Sequence, residues 1–365
     1  MKKVGIITYH FAQNYGAILQ CYALSEYLTN KGYNVIVFDF VSETQRKNND
    51  IIKHGCNIKT FVKNICLLPF RKVIKKKYGR FSEFRKVNLR LSPRFLKVKE
   101  LKAYIEKNNF DYIISGSDQV LNPNIPDFDK AFLYPFKTKA KKIAYAASTG
   151  NASAQEIETI KSYLDDFSYV SIREQKDLNK FVGGNVDKNR YSVVCDPVML
   201  LPEEKWKNLI KKDNEKPYLV CYFLHKNLFS VEFNAAKNIA NELGVEMKVI
   251  NARFSSKSFL RGTVLDVGPK EFVNLIANAC YVCTDSFHGT LFSLLFHKRF
   301  SCFDTTKNKH DTRKKGLLER VGATSAFQNI EESIKVCTEL DYKKIDRNIE
   351  EMRAESISFL QNLKK

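Results

Sequence analysis

Short continuous apolar runs, each closed by polar residues and most followed by a helix-length stretch, recur along this chain and restrict its fold more than any other feature. "KKVGIITY" (2–9) reads as a buried strand. "NYGAILQCYALSEYLTNKGY" (14–33) then places Ile18, Leu19, Tyr22, Ala23, Tyr27 and Leu28 at helical spacing and stops at Gly32, and "NVIVFDF" (34–40) is a second strand. A strand, a helix and a strand in that order make a parallel βαβ unit, so the expected class is α/β. "DYIISGSD", "KIAYAAST", "YVSIRE" and "SVVCDP" extend the alternation. Together these give a first Rossmann-like domain of residues 1–200.

The stretch "DPVMLLPEEKWKNLIKKDNEKP" (196–217) changes composition and carries prolines, which marks a connection. The pattern resumes with "YLVCYF", "EMKVINA", "VLDVG", "YVCTDS" and "RFSCFD", predicting a second parallel-sheet domain over 201–340. Helical periodicity in 341–365 predicts a terminal helix that crosses back to the first domain. Two such domains facing each other bring both sets of strand ends to one cleft.

Charge is uneven. Residues 42–99 hold 17 Lys and Arg against three acids, so +14 of the chain's net +20 lies in one segment. That segment reads as a basic insertion in the first domain. Apolar residues interleave with its cations in "ICLLPFRKVIKKKYGRF" (65–81), as they would on a helix resting on anionic lipid or near a pyrophosphate. A solvated helical face accounts for the same pattern, and nucleic acid is the less favoured partner. No apolar run reaches membrane-span length, and Tyr9, His10, Gln13 and Asn14 interrupt the amino-terminal stretch before a signal core forms, so a cytoplasmic chain is expected. Nine scattered cysteines fit reduced, core-filling thiols. The one C-x-x-C, Cys280 and Cys283, has no second pair to complete a metal site, so no metal is expected.

Four polar clusters fall at predicted strand ends. In "HFAQNYGA" (10–17), Asn14, Tyr15 and Gly16 open a helix, and the glycine lets backbone N–H groups approach an anion. No GK[ST] follows, which disfavours a nucleoside triphosphate. "SGSDQVLNP" (115–123) offers Ser117, Gln119 and Asn122 as hydrogen-bonding groups for a hexose and Asp118 as a base, although an Asx-type turn has the same composition. In "SIRE" (171–174), Arg173 needs an anion to be buried. Period-two alternation sends Glu174 to the opposite face, so the partner is expected elsewhere: a carboxylate or phosphate ligand, or a structural ion pair. "TDSFHGT" (284–290) sets Asp285, Ser286, His288, Gly289 and Thr290 at the end of a buried strand, which favours His288 as a general acid or base. Arg313, in "HDTRKKGLLERVG", is a further anion-binding candidate.

"NYGAILQCYAL", "GSDQVLNP", "SIRE", "DPVMLL" with Trp206 following, and "TDSFHGT", in this order, resemble the polysaccharide pyruvyltransferase family. The resemblance implies a fold similar to GT-B glycosyltransferases and transfer of pyruvate from phosphoenolpyruvate to a pair of sugar hydroxyls as a cyclic ketal, with no cofactor. It further implies that His288 is the catalytic histidine, that Arg173 binds phosphoenolpyruvate, that Asn14, Tyr15 and Gly16 and the segment Ser117 to Asn122 line the cleft, and that the acceptor is a hexose-containing glycan. With the basic segment, the expected acceptor is lipid-pyrophosphate-linked and held at the inner membrane face. Where the family commonly has tryptophan this chain has Leu121, so an aromatic sugar platform is not expected there. A nucleotide-sugar glycosyltransferase and a non-catalytic glycan-binding homologue share the same architecture.

Overall fold

A computed structural model describes residues 1–49, 65, 67–181, 190–211, 216–224, 229–251, 262–304, 312–330, 332, 334–337 and 339–364. His54, His225, His310, Cys56 and Cys66 lie outside the described residues, as does the 50–64 part of the basic segment. The first sheet contains β1 (Lys3–Ile7), β2 (Asn34–Phe40), β3 (Leu91–Phe95), β4 (Tyr112–Ser115), β5 (Lys141–Ala147), β6 (Phe167–Ile172) and β7 (Tyr191–Val193), all parallel, in the order β3-β2-β1-β4-β5-β6-β7. The second contains β8 (Tyr218–Tyr222), β9 (Glu246–Ile250), β10 (Thr263–Val264), β11 (Tyr281–Thr284), β12 (Arg299–Asp304) and β13 (Phe327–Asn329), also parallel, in the order β10-β9-β8-β11-β12-β13. In each sheet the order reverses beside its first strand, between β1 and β4 and between β8 and β11. Crevices open at such reversals because neighbouring connections leave on opposite faces.

The Tyr15–Asn30 helix joins the two halves. Thirteen of its residues are buried, including the polar Gln20 and Ser25, because it lies between the sheets rather than on a surface. Tyr15 stacks on Phe272 with ring centroids 4.6 Å apart, and Tyr22 packs edge-on against Trp206, which in turn meets Phe292. One hydrophobic cluster therefore runs from β1 through this helix into β8 and β11. The Tyr342–Leu360 helix also touches both halves. Ser356 Oγ accepts a hydrogen bond from Cys195 N (2.8 Å), Phe359 meets Tyr145 and Tyr169, and Asp346 pairs with His297.

The basic segment departs from the sequence expectation of an insertion. It supplies β3, the edge strand of the first sheet, where Pro93 is tolerated because an edge strand need not donate on both sides. It also supplies the Arg71–Asn88 helix, which buries Ile74, Lys77, Phe81 and Phe84. Lys76 and Arg80 of that helix pair with Asp266, and Arg80 also pairs with Glu271, so part of the excess charge ties the segment to the second half. Cys280 is exposed, whereas Cys283 is buried in β11.

Lys77 is nearly inaccessible. Its Nζ donates to Asn251 O (2.5 Å) and lies over the Tyr15 ring, and burial pushes its pKa down to about 7. Between pH 7 and the unfolded value of about 10.4, the unfolded chain binds this proton more tightly than the folded one, so stability increases with pH across that window. Urea denaturation at pH 7 and pH 9 is expected to show this site contributing roughly 2 kcal/mol of added stability at the higher pH. Lys77→Met should remove that increment, and an unchanged pH slope in the variant would show the burial to be unimportant.

Candidate active site

The loops after β1, β4, β6 and β7 of the first sheet meet the loop after β11 of the second. His288 is the second residue of the Phe287–Leu295 helix, whose amino terminus is capped by Ser286 Oγ accepting from Gly289 N. The polar run that ends β11 is thus a helix cap, and it projects the imidazole from the end of the sheet towards the first half. There the ring lies on Gly16. A side-chain carbon at that glycine would come within 2.0 Å of His288 Nδ1. Gly16 is required here by close approach, and the Tyr15–Asn30 helix, capped by Asn14 Oδ1 accepting from Ala17 N, holds it in place.

Asp196, at the end of the connection that leaves β7, gathers the site. One of its oxygens, Oδ2, accepts from Arg173 Nη1 at 2.7 Å and from Ser117 Oγ at 3.2 Å, and it lies 3.4 Å from His288 Nε2. Its other oxygen accepts from Val198 N and caps the short Pro197–Leu200 helix. Burial alone would raise the Asp196 carboxyl pKa. His288, then the Arg173 guanidinium and the Val198 N–H, outweigh burial and hold it well below the usual carboxylate range. For Arg173, burial opposes the charge, but Glu174, Asp196 and Asp118 reverse that and raise its pKa above the ordinary value. The guanidinium also lies 4.2 Å from the centroid of the Phe287 ring.

Arg173 differs from its expectation in one respect. Its Nε donates to the adjacent Glu174 at 3.0 Å, although alternation placed that carboxylate on the opposite face. The reason is that β6 ends at Ile172, so the pleat no longer governs residues 173 and 174. Asp196 was not among the residues singled out by sequence. Asp followed by Pro at a strand end reads as a helix cap, which it is; its electrostatic role depends on neighbours brought in by the fold.

The other candidates divide. Asp118 has a left-handed backbone (φ 78°), forms a bridge to Ala147 and accepts from Gln119 N through its own carboxylate. It is half-buried and close enough to Arg173 to support the guanidinium's charge. Gln119 and Asn122 bond to each other at 2.8 Å and pack on Gly150, so they shape the loop. Tyr15 does not reach the cleft: it is 1% exposed and its hydroxyl donates to Val267 O. Thr290 and Ser286 hold the helix start, Thr290 Oγ1 donating to Ser286 O, and Gly289 packs on Thr284. Asp285 accepts from Leu224 N, and Leu121 is fully buried.

Beside Arg173 and Asp196 opens a cavity of about 750 Å³, walled by Phe287, Met199 and Leu317 and bordered by Lys176 and Arg313. His288 does not line this cavity; it reaches it through Asp196. Among the described residues, no group of three His, Cys, Asp or Glu is arranged to hold a metal ion, and no helix is long and apolar enough to cross a membrane.

Comparisons with known proteins bear on the whole arrangement. Residues 14–307 match the family model described as polysaccharide pyruvyl transferase. No curated protein matches the chain. Among solved structures, it is similar to a UDP-N-acetylglucosamine 2-epimerase at 11% identity, with TM-score 0.60 and 100% of this chain and 95% of that one covered. It is also similar to the Rickettsia bellii UDP-N-acetylglucosamine 2-epimerase (13% identity, TM-score 0.57, 99% and 95% covered). The Methanocaldococcus jannaschii UDP-GlcNAc 2-epimerase, solved with UDP-GlcNAc and UDP, follows at 14% identity and TM-score 0.54, with 97% and 93% covered. At such identities the likeness is one of fold: two facing Rossmann-like domains in a GT-B-like arrangement.

The contact between Gly16 and His288 makes a quantitative expectation. Gly16→Ala should destabilise the protein by roughly 1–3 kcal/mol, because the imidazole has to leave its position. In a His288→Ala background the same change should cost much less, and thermal melts of the four proteins in this cycle measure the coupling. Additive effects would mean that the ring does not rest on the glycine.

Proposed function

The chain belongs to the polysaccharide pyruvyl transferase family, and we propose that it moves the pyruvyl group of phosphoenolpyruvate onto two hydroxyls of a hexose in a glycan precursor, forming a cyclic ketal and releasing phosphate. The observation that carries this reading is the convergence of Arg173 and His288, from opposite halves, on one oxygen of Asp196 beside an open cavity. Phosphoenolpyruvate brings a carboxylate and a phosphate, so its site needs fixed cations and backbone donors. Arg173 and Arg313, with the helix amino termini at Gly16 and His288, fit that requirement.

In the proposed reaction, His288 delivers a proton to the methylene carbon and C2 becomes electrophilic. One acceptor hydroxyl adds to C2 and yields its proton to a base, a role this reading gives to Asp118. Phosphate then leaves C2 and the second hydroxyl closes the ketal. In the net balance one hydroxyl proton ends in the new methyl group and the other leaves with phosphate. Each positioned proton transfer is worth roughly 10² to 10⁴ in rate. The reading requires no cofactor, with phosphoenolpyruvate as donor substrate.

The acceptor in this reading is lipid-pyrophosphate-linked, and the protein works in the cytoplasm, peripheral to the inner membrane face. Support comes from the start of the Arg71–Asn88 helix, where Arg71, Lys72 and Lys75 are exposed next to Leu68, itself 59% exposed. A nucleotide-sugar reading remains distinct, because the Methanocaldococcus jannaschii structure holds UDP in a related fold.

His288→Ala and Arg173→Ala, each shown to be folded, should lower phosphate release from phosphoenolpyruvate plus acceptor by at least about 10²-fold. Wild-type turnover in both would remove the assignment, and calorimetric binding of UDP without phosphoenolpyruvate would favour the nucleotide-sugar reading. Sedimentation with anionic vesicles should show binding that about 0.5 M salt reverses. Absent or salt-insensitive binding would exclude the membrane-surface part.

A further inference from the structure

The two nitrogens of the His288 ring have different surroundings. Nε2 is enclosed and faces Asp196 Oδ2 at 3.4 Å, an ion-pair separation longer than a good hydrogen bond. Such contacts are often long before substrate binds and shorten in the reacting complex. Nδ1 lies on the other side, over Gly16 at the amino terminus of the Tyr15–Asn30 helix. A side-chain carbon added at Gly16 would lie almost as near to Cγ (2.4 Å) and Cε1 (2.6 Å), so Gly16 supports the face of the imidazole on its Nδ1 side, while the carboxylate faces the Nε2 edge.

Asp196 is suited to hold the ring. It is 1% exposed, and its position is fixed by Val198 N on one oxygen and by Ser117 Oγ and Arg173 Nη1 on the other. Arg173 is itself fixed by Glu174 and the Phe287 ring, so the carboxylate has little freedom to turn. Ser117 follows β4, Arg173 follows β6 and His288 follows β11, so this one carboxylate sets the relative placement of groups from both sheets.

We propose that Asp196 is a positioning residue for the transfer reaction: it keeps a proton on His288 Nε2, so that the proton delivered to the donor's methylene carbon comes from Nδ1. This rests on the pyruvyl-transfer reading for the identity of the proton acceptor. In the step, the Nδ1–H bond of the imidazolium breaks and the enol π pair forms the new C–H bond. The imidazole is left neutral with its remaining proton on Nε2, facing Asp196. A carboxylate serving only to neutralise Arg173 would leave the tautomer of His288 undetermined. One that orients the ring fixes it, as the buried aspartate of a serine-protease triad does.

The test is nitrogen NMR on the full-length protein labelled at histidine, with the His288 resonances assigned by their loss in His288→Gln. In the wild type, neutral His288 is expected to carry its proton on Nε2. In Asp196→Asn a mixture of tautomers is expected, and kcat should fall about 10² to 10⁴-fold with a smaller change in KM for phosphoenolpyruvate. Asp196→Glu, which keeps a carboxylate, should recover part of the loss. A wild-type neutral ring protonated on Nδ1, or an Asp196→Asn protein with unchanged tautomer and kcat, would overturn the proposal. If Asp196→Asn does not fold, the wild-type spectrum decides alone. If the wild type turns over no phosphoenolpyruvate, the pyruvyl-transfer reading fails, while the tautomer still judges Asp196.

Discussion

A single carboxylate oxygen, Asp196 Oδ2, takes the guanidinium of Arg173, the hydroxyl of Ser117 and the near approach of the His288 ring. Placing charges this deep is costly unless each is paired and hydrogen-bonded. Here the pairing extends to a second carboxylate, Glu174, which also accepts from Ser148 Oγ. The Arg173 guanidinium is thereby held between two carboxylates, Asp196 and Glu174. A group that must meet a reacting atom is in this way located by electrostatics as much as by packing.

The architecture that makes this meeting possible is the Tyr15–Asn30 helix. A helix after the first strand of an α/β domain ordinarily shows one apolar face to its own sheet and a polar face to solvent. This one shows apolar or aromatic residues nearly all round, because the second half covers what would have been its wet side. Its first turn contributes the glycine under His288, so the element that joins the halves also fixes how closely the second half can approach.

Much of this was legible in the sequence. The strands that form the centres of both sheets are uninterrupted apolar runs, which is what a parallel strand buried on both faces must look like, and the clusters at Arg173 and His288 stood out because polar residues follow such runs. Other features were not legible, for identifiable reasons. β3 carries Pro93 and Arg94 at its edge position, so its pattern is not that of a strand. The Arg71–Asn88 helix reads as a surface helix by its charge, since the acids that receive Lys76 and Arg80 lie in the other half of the chain. Tyr15, by its place next to Gly16, looked like a ligand contact; only the fold sends it into the core against Phe272. Asp196 had a sufficient local reading as a cap, which hid its longer-range one.

The aromatic seam of Tyr15, Tyr22, Trp206, Phe272 and Phe292 limits how the molecule moves. Each large ring withdrawn from water contributes on the order of 4–6 kcal/mol at about 25 cal/mol per Å², so parting the two halves enough to wet several of them is a rare excursion. On the pyruvyl-transfer reading, an acceptor would then enter along the cleft, past the loops at its mouth, more readily than through a parting of the halves.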